Sequence, residues 1–193
     1  FPLREIHLFE LESLTSGQLA TALATKSLLG KNAIAIFNSD TYFTSQTLAE
    51  RQRDPSIAGI IPCSKQEGSA WSFCEMGPDG NVIRVAEKER ISDLCSVGYY
   101  YFRYPKLFLE LAEIETAQKI DRSEHFVAPL YNYLIKLGHK IVVDHVDEFL
   151  PMGSMDQLSH FWKVSEADLL RWNSRGTIVI DLDNTLTIDS SNA

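Results

Sequence analysis

The chain is organised around residues 33–43, AIAIFNSDTYF. The first five of these residues are apolar and include the β-branched Ile34 and Ile36, a pattern typical of a strand buried on both faces. Small polar residues then end the run and place Asp40 where the strand stops. In open parallel α/β sheets, ligands bind outside the carboxyl ends of the strands, so Asp40 is a candidate functional residue.

Two roles for Asp40 are compatible with this pattern. A hard carboxylate at the end of a strand suits Mg²⁺ bound beside phosphate groups. Alternatively, Asp40 is the N-cap of a following helix, which residues 41–53 could form. The stretch by itself does not separate these two interpretations.

Length and charge limit the classes of function. The 193 residues suit one domain with a short appendage. There are 18 Lys and Arg against 26 Asp and Glu, and the net charge of −8 argues against broad binding of nucleic acid or anionic membranes. Cys63, Cys74 and Cys95 form no metal-type pair, and their odd number suits reduced thiols in the cytoplasm. No apolar segment approaches the roughly 20 residues of a membrane span, and no signal peptide is visible.

Periodicity and turn residues predict elements on both sides of the central stretch. A strand is expected at 6–9 and a helix at 18–29, with Ser16 as its N-cap. A helix at 45–52 and a buried strand at 57–62 follow, and strands joined by helices predict parallel pairing. The remaining predicted elements are a hairpin at 72–85, a strand at 97–102, helices at 105–117 and 125–136, a strand at 140–145 and a helix from 154.

Four motifs, taken in their order along the chain, carry a family resemblance. They are LTSGQLATAL at 14–23, VAEK at 85–88 before GYYYF at 98–102, EHFVAPLYN at 124–132 and FLPMGSMDQL at 149–158. In this order and spacing, residues 3–163 resemble the sugar-1-phosphate nucleotidyltransferases, particularly those of bacterial capsule and surface-polysaccharide pathways. The resemblance implies a Rossmann-like α/β fold with a mostly parallel or mixed central sheet.

The resemblance also implies a reaction and its participants. An oxygen of a sugar-1-phosphate attacks the α-phosphate of a nucleoside triphosphate, which gives an NDP-sugar and pyrophosphate with Mg²⁺ as cofactor. Asp40 matches the magnesium-binding aspartate, and Lys88 matches the cation that meets the sugar phosphate. The implied substrate-binding residues are Gly17, Gln18 and Thr21 for the nucleotide, and Glu87 and Gly98 for the sugar.

Elementary chemistry supports these roles but also offers plainer ones. A helix that begins near Gly17 presents backbone N–H groups to an anion, and a glycine at 98 allows close approach to the backbone. Mg²⁺ and Lys88 would neutralise phosphate charge while the site aligns attacker and leaving group. Taken alone, however, an adjacent Glu and Lys at a strand end are usually a solvated pair, and Gly98 could mark a β-bulge.

Two departures from the family pattern affect what this chain is expected to do. The family opens with a strand and a G-x-G-x-R loop, and this motif is absent from the sequence. The domain is therefore expected to be N-terminally truncated, and this chain alone is expected to be inactive. The usual position of a second metal carboxylate holds Pro151, and Asp144 and Asp147 are candidate substitutes.

A different signature lies near the end of the chain. Residues 177–187, TIVIDLDNTLT, resemble motif I of the haloacid-dehalogenase-type phosphatases. The resemblance implies Asp181 as nucleophile and Asp183 as acid/base, with Thr185 completing D-x-D-x-T. The expected organisation is a nucleotidyltransferase-like domain at 1–163, a linker at 164–175 and the start of a phosphatase domain at 176–193. The strand at 177–182 is expected to fill a vacant sheet position or to pair between chains, which would give a homo-oligomer.

Two functions follow as expectations. The first is nucleotidyl transfer to a sugar-1-phosphate by the intact parent protein, located in the cytoplasm. The alternative is a non-catalytic sugar-nucleotide-binding or regulatory domain attached to a phosphatase. Asp40 and the pair Glu87 and Lys88 favour the first function, whereas Pro151 and the absent glycine-rich loop favour the second.

Overall fold

The chain folds into a mixed α/β structure, seen in a computed structural model that describes residues 9–118 and 124–158. Its helices are α1 (Gln18–Ala24), α2 (Leu48–Arg53), α3 (Pro105–Ala117) and α4 (Leu130–Lys136), and a 3-10 turn covers Lys26–Leu28. Its strands are β1 (Ile34–Phe37), β2 (Thr41–Thr44), β3 (Ile57–Lys65), β4 (Ser72–Met76), β5 (Val82–Glu87), β6 (Leu94–Ser96), β7 (Tyr99–Phe102), β8 (Lys140–His145) and β9 (Glu148–Pro151).

Seven strands form the main sheet in the order β1-β7-β3-β6-β4-β5, and β8 pairs with β3. The β3–β8 pair is parallel, whereas the other pairs of this sheet are antiparallel. The sheet is therefore mixed, as expected, but it is rich in antiparallel pairs rather than mostly parallel. β1 and β3 run in the same direction, yet they are not neighbours because β7 lies between them. Periodicity could not reveal this insertion, since β7 comes much later in the chain.

The prediction that β1 is buried on both faces is wrong. Ile34 is buried, but the Phe37 side chain is 50% exposed. Within residues 9–118 and 124–158, β1 pairs with β7 and lies at the edge of the sheet. An edge strand buries one face more fully than the other, which explains the uneven burial.

The two faces of the sheet are covered differently. On one face, α1, α3 and α4 pack against the strands and contribute Leu19, Phe108 and Leu130 to the main core. A smaller cluster on the sheet joins Leu48 of α2 to four buried residues, Ile57, Ile60, Tyr101 and Val142. Burying one such large apolar side chain stabilises the fold by about 1.5–3 kcal/mol.

Tyr131 of α4 fixes that helix on the centre of the sheet. Its ring stacks on Phe102 with centroids 4.5 Å apart, and its hydroxyl donates to the carbonyls of Ile60 at 3.1 Å and Tyr101 at 3.0 Å. A Cβ at Gly59 would lie 2.6 Å from the Tyr131 ring, so glycine is needed in β3. The strand therefore gives up a side chain to admit an aromatic ring from the helix.

Several predicted elements are confirmed, and others differ at their ends. The hairpin (β4–β5), α3, β3, β7 and β8 are present. The helix expected at 18–29 is α1 followed by a 3-10 turn, and its N-cap is Gly17 rather than Ser16. The helix expected at 125–136 begins only at Leu130, because the backbone of residue 125 pairs with residues 16 and 19 instead.

A buried carboxylate anchors the segment between β2 and α2. Asp144 of β8 is fully buried and accepts hydrogen bonds from the hydroxyls of Ser45 at 2.5 Å and Thr47 at 2.6 Å. Arg51 Nε lies 2.9 Å from the Asp144 Oδ1 atom. Since a buried charge must be paired and hydrogen-bonded to be tolerated, these three partners explain how Asp144 can lie in the core.

Some predictions fall on residues that the structure does not describe. These are most of the strand at 6–9, the strand at 177–182, Asp181, Asp183, Thr185 and the domain boundaries at 163–176. The three cysteines are described, and all three are free and buried. In the described ranges, the helices are too short or too polar to cross a membrane.

Replacing Asp144 should destabilise the protein strongly. We expect Asp144→Ala to lower the free energy of unfolding by about 3–5 kcal/mol, because it leaves Arg51 and two hydroxyls without their buried partner. Asp93→Ala is the matched control, since it removes an exposed ion pair with Arg90 and should cost about 1 kcal/mol or less. Urea denaturation monitored by fluorescence measures both values, and equal losses for the two variants would contradict the anchoring role.

Candidate functional site

The turn after β1 presents Asp40 beside the segment that follows β9. The Asp40 carbonyl accepts a hydrogen bond from the Met152 N–H at 2.7 Å. A Cβ at Gly153 would lie 2.6 Å from Asp40 Oδ2, so the half-buried carboxylate lies directly over a glycine backbone. Residues 41–44 form β2, which pairs with β9, so the interpretation of Asp40 as the cap of a helix at 41–53 is wrong.

Gly17 and Gln18 lie against the chain segment before α4. Gly17 has φ of +114°, and a Cβ there would meet the backbone nitrogen and oxygen of His125 at 2.8 Å. His125 donates its N–H to the Ser16 carbonyl at 2.8 Å and accepts the Leu19 N–H at 2.9 Å. The first turn of α1 is therefore closed by backbone bonds, and the Leu19 N–H already has a protein partner.

Thr21 is engaged within its own loop. Its hydroxyl oxygen lies 2.6 Å from the Thr15 hydroxyl and 3.3 Å from the Gly17 carbonyl. These contacts hold the turn that carries Gly17 and Gln18. The Thr21 hydroxyl thus has partners within its own loop, and its proposed contact with a nucleotide stays a prediction.

Asn38 joins Gln18 to Gly98. Its backbone N–H donates to the Gly98 carbonyl at 2.8 Å, and its side-chain oxygen accepts a hydrogen bond from the Gln18 amide. Gly98 has φ of +82°, and a Cβ there would lie 2.9 Å from the Asn38 side chain. Glycine is therefore required in this β6–β7 turn, both for its backbone conformation and to admit Asn38.

Glu87 ends β5 directly opposite Ser72 of β4. Its carboxylate is half-buried and accepts a hydrogen bond from the Ser72 hydroxyl. A carboxylate oriented by a neighbouring strand is better defined than one on a free surface. This geometry departs from the plain alternative of a solvated pair with Lys88.

Lys88 turns sharply out of β5. Its φ of +55° is unusual for a residue with a side chain, and its N–H donates to the Trp71 carbonyl at 2.9 Å. Lys88 Nζ lies 3.5 Å from Glu124 Oε2 and 4.6 Å from the centre of the Phe126 ring. The ion pair is exposed, so it contributes little stability. Backbone strain of this kind is concentrated at functional sites.

These separate contacts join into one closed circuit, which we call the site ring. It runs from Gln18 through the segment 124–127 to Lys88, and from Lys88 to Trp71. The Trp71 and Phe149 rings then meet with centroids 5.8 Å apart, and β9 returns to Asp40 beside Asn38. The site ring brings together the predicted residues Gly17, Gln18, Asp40, Glu87, Lys88 and Gly98.

Sequence analysis missed two residues that contact the predicted site residues directly, Asn38 and Ser72. Asn38 directly follows β1, two positions before Asp40, and that position is a usable signal in open sheets. Ser72 gave no sequence signal, because its role depends on the cross-strand register that places it opposite Glu87.

The site ring offers one carboxylate that fits a magnesium ion. In the described residues, no three His, Cys, Asp or Glu side chains are grouped as a metal site. Mg²⁺ at phosphate sites, however, is usually held by one or two carboxylates together with substrate oxygens, so Asp40 fits this ion. Asp144 is engaged by Ser45, Thr47 and Arg51, and Asp147 Oδ2 accepts the Gln46 N–H at 2.9 Å. Both substitute candidates therefore support the segment 45–51.

Comparison with known proteins gives the family. No family profile and no curated protein matches the chain. A solved nucleoside-diphosphate-sugar pyrophosphorylase from Vibrio cholerae RC9 is 30% identical over 79% of this chain and 67% of its own, with a TM-score of 0.68. A Bacillus anthracis protein assigned as a glucose-1-phosphate thymidylyltransferase was solved with sucrose and is 12% identical to this chain. The match covers 82% of this chain and 64% of the Bacillus anthracis protein, with a TM-score of 0.67. A UDP-glucose pyrophosphorylase solved with UDP-glucose is 15% identical to this chain. The match covers 79% of this chain and 64% of that enzyme, with a TM-score of 0.62.

The last two similarities show the fold alone, and they confirm the Rossmann-like nucleotidyltransferase architecture. The chain spans about two thirds of the length of each of these solved proteins. The Vibrio cholerae protein is similar enough in sequence, over enough of its length, to decide the family. The chain belongs to the family of sugar-nucleotide pyrophosphorylases, the nucleotidyltransferases of nucleoside-diphosphate sugars.

Proposed function

We propose that this domain transfers a nucleotidyl group from a nucleoside triphosphate to a sugar-1-phosphate. The observation that carries the proposal is the site ring, a circuit of contacts that links four separate parts of the sequence in which the predicted site residues lie. The similarity to a nucleoside-diphosphate-sugar pyrophosphorylase supports the same reaction. The products are an NDP-sugar and pyrophosphate.

The two ends of the substrate are assigned to the two sides of the site ring. We place the nucleotide beside Gly17 and Gln18, at the start of α1, as the family resemblance implies. We place the sugar near Glu87 and Gly98, because the Glu87 carboxylate can accept hydrogen bonds from sugar hydroxyls. The sugar-1-phosphate oxygen then bonds to the α-phosphorus while the bond to pyrophosphate breaks.

The charges of the site ring suit this transfer. Lys88 carries an ammonium group that is exposed and already held near Glu124 and Phe126, so it can meet the sugar phosphate. Asp40 would hold Mg²⁺, which supplies positive charge to the phosphate oxygens when it is bound. Preorganised charges of this kind lower the barrier because they need no rearrangement during the reaction.

Binding of an NDP-sugar to the chain is the first test. Isothermal titration with UDP-glucose and dTDP-glucose in the presence of MgCl₂ should show binding of at least one of them. If neither UDP-glucose nor dTDP-glucose binds to the folded chain, the assignment of the site ring is contradicted. In an enzyme containing this domain together with a G-x-G-x-R loop, NDP-sugar and pyrophosphate should yield a nucleoside triphosphate. Binding without that conversion would favour the non-catalytic alternative.

Lys88→Ala should weaken the sugar-phosphate side selectively. A hydrogen bond or ion pair to a charged group contributes about 1.5–3 kcal/mol, so the affinity for the NDP-sugar should fall about tenfold or more. The affinity for the corresponding nucleoside monophosphate should stay within about twofold.

Lys26→Ala is the matched control for Lys88→Ala. Lys26 also forms an exposed ion pair, with Glu113 at 3.2 Å, but it lies outside the site ring. This variant should leave both affinities unchanged. A loss of affinity for both ligands in Lys88→Ala, or for neither, would remove Lys88 from the sugar side.

Asp40→Asn should abolish the magnesium dependence of ligand binding. The substitution keeps the shape of the side chain but removes the negative charge that favours Mg²⁺. Titrations with MgCl₂ and with EDTA should differ for the wild type and agree for the variant. In an enzyme containing this domain and the G-x-G-x-R loop, turnover should fall roughly 100-fold.

Asp93→Asn, which alters an exposed carboxylate far along the chain, is the control for Asp40→Asn and should behave as the wild type. If Asp40→Asn retains the full magnesium effect, then the metal is held elsewhere. Circular dichroism of each variant establishes that the comparison is made between folded proteins.

A further inference from the structure

The ammonium group of Lys88 contacts two side chains of one short segment. Lys88 Nζ lies 4.6 Å from the centre of the Phe126 ring and 3.5 Å from Glu124 Oε2. The side chains of Lys88 and Glu124 are 55% and 52% exposed, so a ligand in solution can reach both charges. Because an exposed ion pair adds little to stability, folding alone does not explain why these three groups meet.

The backbone around Phe126 is fixed on both sides of the half-buried ring. On one side, the His125 carbonyl accepts the Leu19 N–H of α1 at 2.9 Å. On the other side, the Val127 N–H donates to Gln18 Oε1 at 3.3 Å. The segment that carries Phe126 and Glu124 is therefore attached to the first turn of α1, and the ring has a defined place.

The backbone that carries Lys88 is fixed as well. Its N–H donates to the Trp71 carbonyl at 2.9 Å. Three residues earlier in β5, the Val85 N–H donates to Asn132 Oδ1 at 2.9 Å, and Asn132 Nδ2 donates to the Val85 carbonyl at 2.8 Å. These two bonds attach β5 to α4, the helix that follows the segment 124–127. The cation and its two contacts thus belong to parts of the chain that are bonded to one another.

Phe126 and Glu124 act differently on the Lys88 charge. The face of an aromatic ring attracts a cation through its negative potential and carries no net charge of its own. The three ammonium donors can then still meet the oxygens of a phosphate. A carboxylate, in contrast, neutralises the ammonium and repels a phosphate group. Glu124 and a phosphate are both oxyanions, and they compete for the same cation.

We propose that Phe126 is a positioning residue that holds the Lys88 ammonium for the sugar phosphate, and that Glu124 is an internal competitor that the phosphate displaces. This inference rests on the proposed function, because it assumes that Lys88 meets the phosphate. In the free protein, Glu124 partly neutralises Lys88. When the ligand binds, phosphate oxygens take the place of the carboxylate while the contact with the ring is kept.

The test is a pair of substitutions with opposite expected effects. Glu124→Gln keeps the shape of the side chain but removes its charge, so the affinity for an NDP-sugar should rise about two- to fivefold. Phe126→Leu removes the aromatic face, so the same affinity should fall about two- to fivefold. Isothermal titration at constant ionic strength measures both, with whichever of UDP-glucose and dTDP-glucose the wild type binds. The affinity for the corresponding nucleoside monophosphate should not change.

A double-mutant cycle shows whether both side chains act through Lys88. In a Lys88→Ala background, neither Glu124→Gln nor Phe126→Leu should alter the affinity further. Phe126→Tyr keeps an aromatic face and should restore the affinity that Phe126→Leu loses. Glu113→Gln is the matched control for Glu124→Gln, since Glu113 forms an exposed ion pair with Lys26 outside the site ring.

A purely structural role for the segment 124–127 would give a different pattern. Both variants would then weaken the binding of the NDP-sugar and of the monophosphate, because this segment also holds the start of α1. Such a pattern, or effects that persist in the Lys88→Ala background, would overturn the inference. If Phe126→Leu does not fold, Glu124→Gln and its cycle with Lys88→Ala still decide the role of Glu124.

The outcomes separate this inference from the proposed function. If Lys88→Ala weakens the NDP-sugar but Glu124→Gln does not strengthen it, the competition is overturned and the proposed function stands. If Phe126→Leu binds as the wild type does, the positioning role is overturned in the same way. If the folded wild-type chain binds neither NDP-sugar, the proposed function and this inference fail together.

Discussion

Strand β7 is the element on which the rest of the structure depends, because both of its edges are used. It is hydrogen-bonded to β1 on one side and to β3 on the other, and so it ties the strand that leads to Asp40 to the centre of the sheet. Its side chains alternate between the two faces, with Tyr100 and Phe102 in the main core and Tyr101 in the smaller cluster. Gly98, just before β7, is therefore held in register with Asn38, just after β1.

The site ring follows from this pairing. Its members lie in loops or in the ends of helices and strands, and backbone bonds, a buried hydroxyl and an aromatic contact join these segments to one another. Loops that a rigid scaffold positions in this way commonly carry function. The positive φ at Lys88 and the glycines at 17 and 98 show that the backbone is constrained where the ring closes. Such constraint suits the proposed transfer, in which two phosphorylated substrates would have to be aligned.

The sequence was informative where local chemistry decides the structure and where motif order decides the family. The hairpin with its Pro-Asp-Gly turn, α3 and the buried strand β3 could be predicted because periodicity and turn residues determine them locally. The exposed side of β1 and its separation from β3 could not, because both depend on a strand some 60 residues later in the chain. The contact between Ser72 and Glu87 could not be predicted for the same reason, since the two residues meet only through the sheet register. Asp40 could be named from its place after an apolar strand, the other site residues were named by resemblance, and the roles of all of them stay predictions.

The central claim is that one sugar nucleotide lies across the site ring, with its nucleotide at Gly17 and Gln18 and its sugar at Glu87 and Gly98. A crystal structure of the chain with UDP-glucose and MgCl₂ tests this claim most directly. The account predicts sugar hydroxyls within hydrogen-bonding distance of Glu87 and phosphate oxygens near Asp40 and Lys88. A ligand bound away from the site ring, or one whose sugar does not touch Glu87, would contradict it.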